Sequence, residues 1–549
     1  MHRLIQLKSV VAVVGTGLLA VASLALAPAL ATAAGSTAPS GTATIGTFEE
    51  PANLNPILGP SQTFTGLVEG PMMPNLFSLT PQGQLQPDLV TMVPTQANGG
   101  ISKNNLVYTF HLRPKVRWSD GAPFTAQDVI ETWKLLVNPR VNAVTTEGFS
   151  DIKSMRAPNP LTIIMTLAKP YSPFLSTCWS NSEVAIIPAH IFDQVPPSQV
   201  NYFQYNVDPT PTLGPYKFVS WTHAQSIVEE VNPYYWGPKP HIAKLVFQII
   251  PDQNTLLSAL QAGNINLYYF APVTQLSTLK HMSGVKVWEY NQGGPGEWAQ
   301  LNLHNPILAD VNVRRALEYG INRQAIVKYV WNGLGTLSAD TQGPAQWSYD
   351  PAVKPYPYSP TTAEHLLQKD GWKVGPGGIR VKNGKQLVLT YSTTAGNTWR
   401  AETEQIVQQE LQQIGVKIII HNYPANTFFG TILYKGQFQI AEYQATPGPD
   451  PDLRTYRADS CQAFPPYGSN YGFWCNQTVN KLLTQEEQIS SIPARKVIFD
   501  KIAQIENQQM PSLFYYVPKA IDATYGLGGY QPNSVAPVTS TAAEWTLTK

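Results

Sequence analysis

The sequence predicts an α/β protein of at least two domains, on three observations. At 549 residues the chain is long for a single core. Between Leu387 and Ile420 a strand, an amphipathic helix and another strand follow in turn, the order that builds parallel pairing in a mixed sheet. Midway, Gln292-Gly293-Gly294-Pro295-Gly296 interrupts the pattern, and a domain boundary is expected there.

The N-terminus reads as a targeting segment. Arg3 and Lys8 precede a nearly apolar stretch from Val10 to Leu26, short of the roughly 20 residues of a spanning helix. Ala31-Thr32-Ala33 offers a cleavage site, so residues 1–33 are expected to be a signal peptide, with an uncleaved anchor as the alternative. The first of the three cysteines is Cys178, so no cysteine follows the apolar stretch to take a lipid, and a lipoprotein is not expected. Charged residues make up 13% of the chain, about half the roughly 25% of ordinary soluble proteins. Few carboxylates leave few groups for acid to protonate, which fits work in an acidic medium. The net charge of +1, with no basic patch interleaved with aromatics, excludes nucleic acid as a partner.

Taken in order, Thr42 to Phe48 alternates as a first strand, and Pro51 and Pro56 bracket a loop. Tyr108, Phe110 and Leu112 alternate as another strand. Ser119-Asp120-Gly121 is turn chemistry, and Thr125 caps a helix from Ala126 to Val137 with Asp128 in its first turn. Asn138-Pro139 stops that helix. Leu161 to Leu167 is a strand. His190 has no partner at metal spacing and reads as structural. Strands follow up to Trp221, over Ser226 to Val231 and over Lys244 to Ile250; Asp252 opens a helix that Gly263 stops. Trp298 to Leu303 is a strand. Asp310 and Asn322 cap two helices ended by Gly320 and Gly333, and Arg315 between them is expected to pair with a carboxylate. A last helix spans Pro493 to Gln508, Leu513 to Val517 forms a strand, and the tail after Gly526 is loop-rich.

Catalytic motifs are missing. There is no G-x-S-x-G, H-E-x-x-H, P-loop or C-x-x-C, so no enzyme is expected, and no cofactor or metal site either.

Several of these stretches together resemble one family. YTFHLRPKVRWSDGAPFTAQDV, Tyr108 to Val129, is similar to the F-x-L-R-x-x-V-x-W-S-D-G-x-P-x-T-A-x-D-V pattern of the peptide/nickel family of extracytoplasmic solute-binding proteins. Gly214-Pro215-Tyr216, Asn232-Pro233-Tyr234-Tyr235-Trp236-Gly237 and Leu301 to Arg323 resemble further motifs of that family, in its order. The departures are small: Asn266 and Asn322 each stand where the family carries Asp. The resemblance implies a two-lobed periplasmic-binding-protein fold of type II, the large peptide-binding class. Lobe I would hold 34–293, with an extra subdomain at about 80–200, and lobe II 294–512. Residues 513–549 would return to lobe I. Hinge crossings would fall near Gln292–Glu297 and Pro511–Tyr516. It also implies a monomeric receptor, periplasmic, at the cell surface or secreted, that closes on a peptide and delivers it to the permease and ATPase subunits of an ABC importer. Nickel chelates, opines or oligosaccharides are the alternative ligands, and a secreted hydrolase the alternative class. Cys461 and Cys475 flank a loop, and the dipeptide-binding branch of the family implies that they form a disulfide; Cys178 is left as a buried thiol.

The resemblance also implies a ligand site. Phe48, Trp298, Trp399 and Tyr443 fall at or near cleft positions and would sandwich a side chain. Glu49 and Arg400 are the nearby charges for ligand termini. Aligned on Asp450-Pro451-Asp452, Pro447 stands where dipeptide binders carry the acid that meets the ligand ammonium. That clamp is therefore either absent or moved to Asp450 or Asp452; alternatively both are turn residues before a helix.

Overall fold

The computed structural model describes residues 38–59, 63–80, 83–180, 184–291, 294, 296–444, 448, 450–465 and 468–548. The expected signal peptide, part of the expected crossing at 292–295, and Pro447 lie outside the described residues. Among the described residues no helix is long and apolar enough to cross a membrane.

The chain opens on β1 (Thr42–Thr47), which buries Ala43 and Ile45 as its alternation predicts. An excursion then builds a separate antiparallel sheet in the order β2-β4-β3, from β2 (Val107–His111), β3 (Ile152–Asn159) and β4 (Thr162–Leu167). Between β2 and β3, α1 (Ala126–Leu136) begins with a capping box: Asp128 accepts the Thr125 N–H at 2.7 Å while the Thr125 side chain accepts from the first turn. The main sheet resumes with β5 (Tyr216–Thr222), β6 (Ser226–Val231) and β7 (Lys244–Ile249), antiparallel neighbours, and β7 joins β1 in parallel. Asp252 caps the next helix, Gln253–Gln261, by accepting from Thr255 N. β8 (Leu267–Tyr268) pairs with β1 in parallel, and β9 (Val285–Asn291) follows.

The later chain makes β10 (Glu297–Leu301), α2 (Val311–Gly320), α3 (Arg323–Tyr329) and β11 (Gly335–Leu337). β12 (Val388–Ser392), α4 (Thr398–Gln413), β13 (Lys417–Ile420) and β14 (Ile440–Gln444) follow. β13 and β14 both run parallel to β12, as the strand–helix–strand reading requires, and β10 lies antiparallel to β14. Then come α5 (Pro451–Asp459), α6 (Gln477–Glu486), α7 (Ile492–Gln509) and β15 (Ser512–Tyr525).

β15 joins the two halves. Its first residues pair with β10, Tyr516 to Pro518 pair with β11, and Lys519 to Tyr525 pair with β9. The strand is far longer than the Leu513–Val517 stretch read from sequence, because Pro518, an edge signal locally, sits where the ladder changes partners. Gly296 lies beside it with φ +84, and a Cβ there would run into the Tyr516 carbonyl, so the entry into β10 requires glycine.

Two apolar cores result. One includes Trp118, Trp179 and Tyr216 and takes in Tyr530, Val538 and Trp545 from the C-terminal tail. The other includes Trp298, Tyr391 and Tyr515. Cys461 and Cys475 are joined, 14 residues apart, and Cys178 is a buried thiol. His190 pairs with Asp120 at 2.8 Å. Two expectations are corrected. Among the described residues Arg315 pairs with no carboxylate; it donates to the Gln508 carbonyl through Nε at 2.9 Å. Arg314 likewise donates to the carbonyls of Gln509 and Met510, because the last carbonyls of α7 lack partners within the helix and form its negative end. And α3 ends at Tyr329, before Gly333.

Candidate functional site

Phe48, just past β1, packs against both cores, so the end of β1 lies between them. Its ring meets Phe64 edge-on at 4.8 Å. Glu49 is exposed, yet enough protein crowds it that desolvation raises its carboxyl above the usual range, while the charge of Arg400 opposes the rise. These two charges, one from each half of the chain, therefore act on each other.

Arg400 sits in the first turn of α4, where Asn397 accepts its N–H at 3.1 Å. The guanidinium is buried and committed. It donates to both oxygens of Glu297, at 3.2 and 2.9 Å, and to Thr394 Oγ1 at 2.9 Å. Glu442 is buried nearby and accepts from Tyr391 Oη at 2.9 Å. Burial pushes its carboxyl well up and the charge of Glu297 adds to this, against Arg400 and the Tyr391 hydrogen bond. The upward push favours the uncharged form of Glu442, while Glu297 and Arg400 form an ion pair.

Trp399 precedes Arg400 and packs against Trp331 at 5.8 Å. Pro272 and Val273 close over the pair, leaving a pocket of about 10 Å³, room for one water. Trp298 and Tyr443 are cross-strand neighbours on β10 and β14, their rings 5.3 Å apart at 68°. Tyr443 Oη donates to Gln300 Oε1 at 3.4 Å. The guanidinium of Arg454, from α5, lies 4.3 Å above the Trp298 ring.

Asp450 and Asp452 belong to a different network. Asp450 caps α5 and holds both terminal nitrogens of Arg495, at 2.8 and 2.6 Å. Arg495 also donates to Glu486 at 2.6 Å. Burial, reinforced by Asp452, pushes Glu486 up to about 12, so it keeps a proton that Asp452 can accept. Asp452 also accepts from Tyr171 of the early chain, at 3.1 Å. Nearby, Arg457 donates to Glu147 at 2.8 Å and Lys169 to Glu487 at 2.9 Å.

The structure thus groups Glu49 with Arg400 and Trp298 with Tyr443, and sets Asp450 and Asp452 apart as a helix-capping, ion-paired corner. Sequence reasoning missed Glu297, Trp331, Arg454, Arg495 and Tyr171. Arg454 stands only two residues after Asp452, but no local spacing marks it.

Known proteins fit this arrangement. The profile of bacterial extracellular solute-binding proteins, family 5 (middle region), matches residues 84–465. The oligopeptide-binding protein AppA of Bacillus subtilis is 25% identical over 431 residues, covering 75% of this chain and 76% of AppA. The structure of AppA in complex with a nonapeptide superposes with a TM-score of 0.85 at 23% identity, over 93% of this chain and 99% of the other. NikZ from Campylobacter jejuni in complex with Ni(L-His) superposes at 0.83 with 25% identity, over 93% and 100%. The expected two-lobed binding-protein fold is the fold of these structures. With a family profile spanning well over half of its length, the chain belongs to the bacterial extracellular solute-binding proteins of family 5.

Proposed function

We propose that this protein is an extracytoplasmic receptor that closes on a peptide and passes it to the permease of an ABC importer powered by ATPase subunits. The observation that carries this reading is the interaction of Glu49, at the end of β1, with Arg400 of α4, beside Phe48 packed against both cores, in a protein of this family. One lobe would comprise 34–293 with the returning 513–549, the other 294–512, and β15 would be one of the two hinge crossings. Phe48, Trp298, Trp399 and Tyr443 would form the apolar walls, with Glu49 and Arg400 at the ligand's ends. Asp450, whose oxygens are taken by Arg495, is the weakest of these site residues. The N-terminal segment would direct export, and the receptor would act as a monomer.

Isothermal calorimetry with a mixed di- to pentapeptide library tests the reading, paired with small-angle scattering for closure. Saturable binding with a more compact profile and no peptide cleavage is expected. Absence of binding to every peptide would transfer the reading to nickel chelates, which NikZ of the same fold motivates. Among the described residues no three His, Cys, Asp or Glu are grouped to hold a metal ion, so nickel would have to arrive already chelated.

A further inference from the structure

Several buried arginines of this fold are fully engaged, whereas the half-buried Arg454 is not. Arg400 has Glu297, Arg495 has Asp450 and Glu486, and Arg314 has a ring of helix-end carbonyls. Arg454 differs. Its Nε and Nη2 are enclosed, and among the described residues neither has an acceptor. Among the described residues it has no ion-paired carboxylate, and Tyr443 shares a side-chain hydrogen bond with it. The acid whose charge it feels, Asp459, shares a hydrogen bond with Glu506 instead. The adjoining 445–449 stretch, Ala-Thr-Pro-Gly-Pro, contains no acid.

Enclosed guanidinium donors without a partner are costly, so an acceptor from outside the chain is favoured wherever one can enter. The surroundings restrict what that acceptor is. The guanidinium carbon lies 4.3 Å from the centre of the Trp298 ring, and Tyr443 and Gln300 stand beside Trp298 on the same sheet face. A planar fork held in this way matches the two oxygens of a carboxylate better than a neutral or spherical group. Glu297 is already paired with Arg400, so it does not offset the positive charge of Arg454.

We propose that Arg454, held on Trp298 beside Tyr443, binds a carboxylate of the ligand. The inference rests on reading the chain as a solute receptor and names the ligand chemistry of that site: an anionic terminus or acidic side chain, docked at α5.

Calorimetry on the full chain tests it with three probes: the di- to pentapeptide library with free C-termini, the same library C-terminally amidated, and Ni(L-His), whose histidine brings a carboxylate. Wild type should prefer the free acids. Arg454→Gln should weaken them at least about 30-fold and erase the preference over amides. Arg454→Lys should fall between, since it keeps the charge and loses the fork. Thermal melts establish that each variant is folded; if the glutamine variant is not, the lysine variant decides by the same acid-over-amide ratio. Arg454→Gln retaining wild-type affinity, or retaining the preference for acids, overturns the proposal. If wild type binds no peptide but binds Ni(L-His), the peptide reading fails separately. Arg454 is then judged on that complex: a 30-fold loss supports it and an unchanged affinity overturns it. Wild type binding none of the three overturns both.

Discussion

The early and late parts of the chain are held together in two chemically different ways. Along β15 the link is a backbone ladder, with β9 on one stretch and β10 and β11 on another, over the buried side chains of Phe514, Tyr515, Tyr516 and Ile521. At the rim the contact is mostly between side chains, Tyr171 on Asp452, Arg457 on Glu147 and Lys169 on Glu487, with one backbone bond from the Ser172 N–H to the Glu487 carbonyl. Main-chain hydrogen bonds and apolar packing neither titrate nor depend on salt, whereas ion pairs do both. In the proposed hinged receptor, β15 would be the lasting axis and the rim a reversible contact.

The largest expected effect is that of pH, because buried carboxyls occur at both contacts and elsewhere. Burial raises Asp522, on β15, from 3.8 to about 6 and Glu487, at the rim, from 4.5 to about 7. It also raises Glu69 from 4.5 to about 8 and Glu318 from 4.5 to about 7. Each folded pKa exceeds its unfolded value, so the folded protein holds protons that the unfolded chain releases. The stability contributed is fully present below about pH 4 and is lost as pH rises through 6 to 8. The melting temperature should therefore climb from pH 8 to pH 5, in keeping with the low charged fraction. A flat profile, or one rising toward pH 8, would contradict this. Asp522→Asn should remove the axis share of the effect and leave the rim share.

Next is the axis itself. Phe514→Ala should cost about 3–5 kcal/mol of global stability, read from the urea midpoint. A loss below about 1 kcal/mol would show that the shared strand is not a core element. Removing the Cys461–Cys475 bond by paired serine substitutions opens a short loop and should cost about 3 kcal/mol in the chain-entropy model. Hydrogen exchange should then quicken over 451–486 while 512–525 stays protected; equal quickening in both would erase the distinction between axis and rim. The smallest effect is expected from Tyr171→Phe. It removes the hydrogen bond to Asp452, worth about 0.5–1.5 kcal/mol, and should weaken ligand binding about 2- to 10-fold with little change in melting temperature. A large stability loss with unchanged affinity would make Tyr171 a core residue and not part of a closing rim.

Much of the fold was legible in the sequence, because caps, turns and strand alternation are settled by residues within a few positions of one another. Thr125 with Asp128, the hairpin of β5 and β6, and the strand–helix–strand of β12, α4 and β13 all act over such short ranges. The aromatic pair Trp298 and Tyr443 could be named individually, but their contact needed β10 to lie beside β14. The charges were least legible. Asp450 finds Arg495 forty-five positions away, Asp452 finds Tyr171 across 281, and Arg315 finds a helix-end carbonyl in place of the expected acid. The sequence by itself determined most of the elements and the α/β fold class. Only the tertiary structure decided which charges pair, since a buried charge takes its partner from whatever the folded chain brings near it.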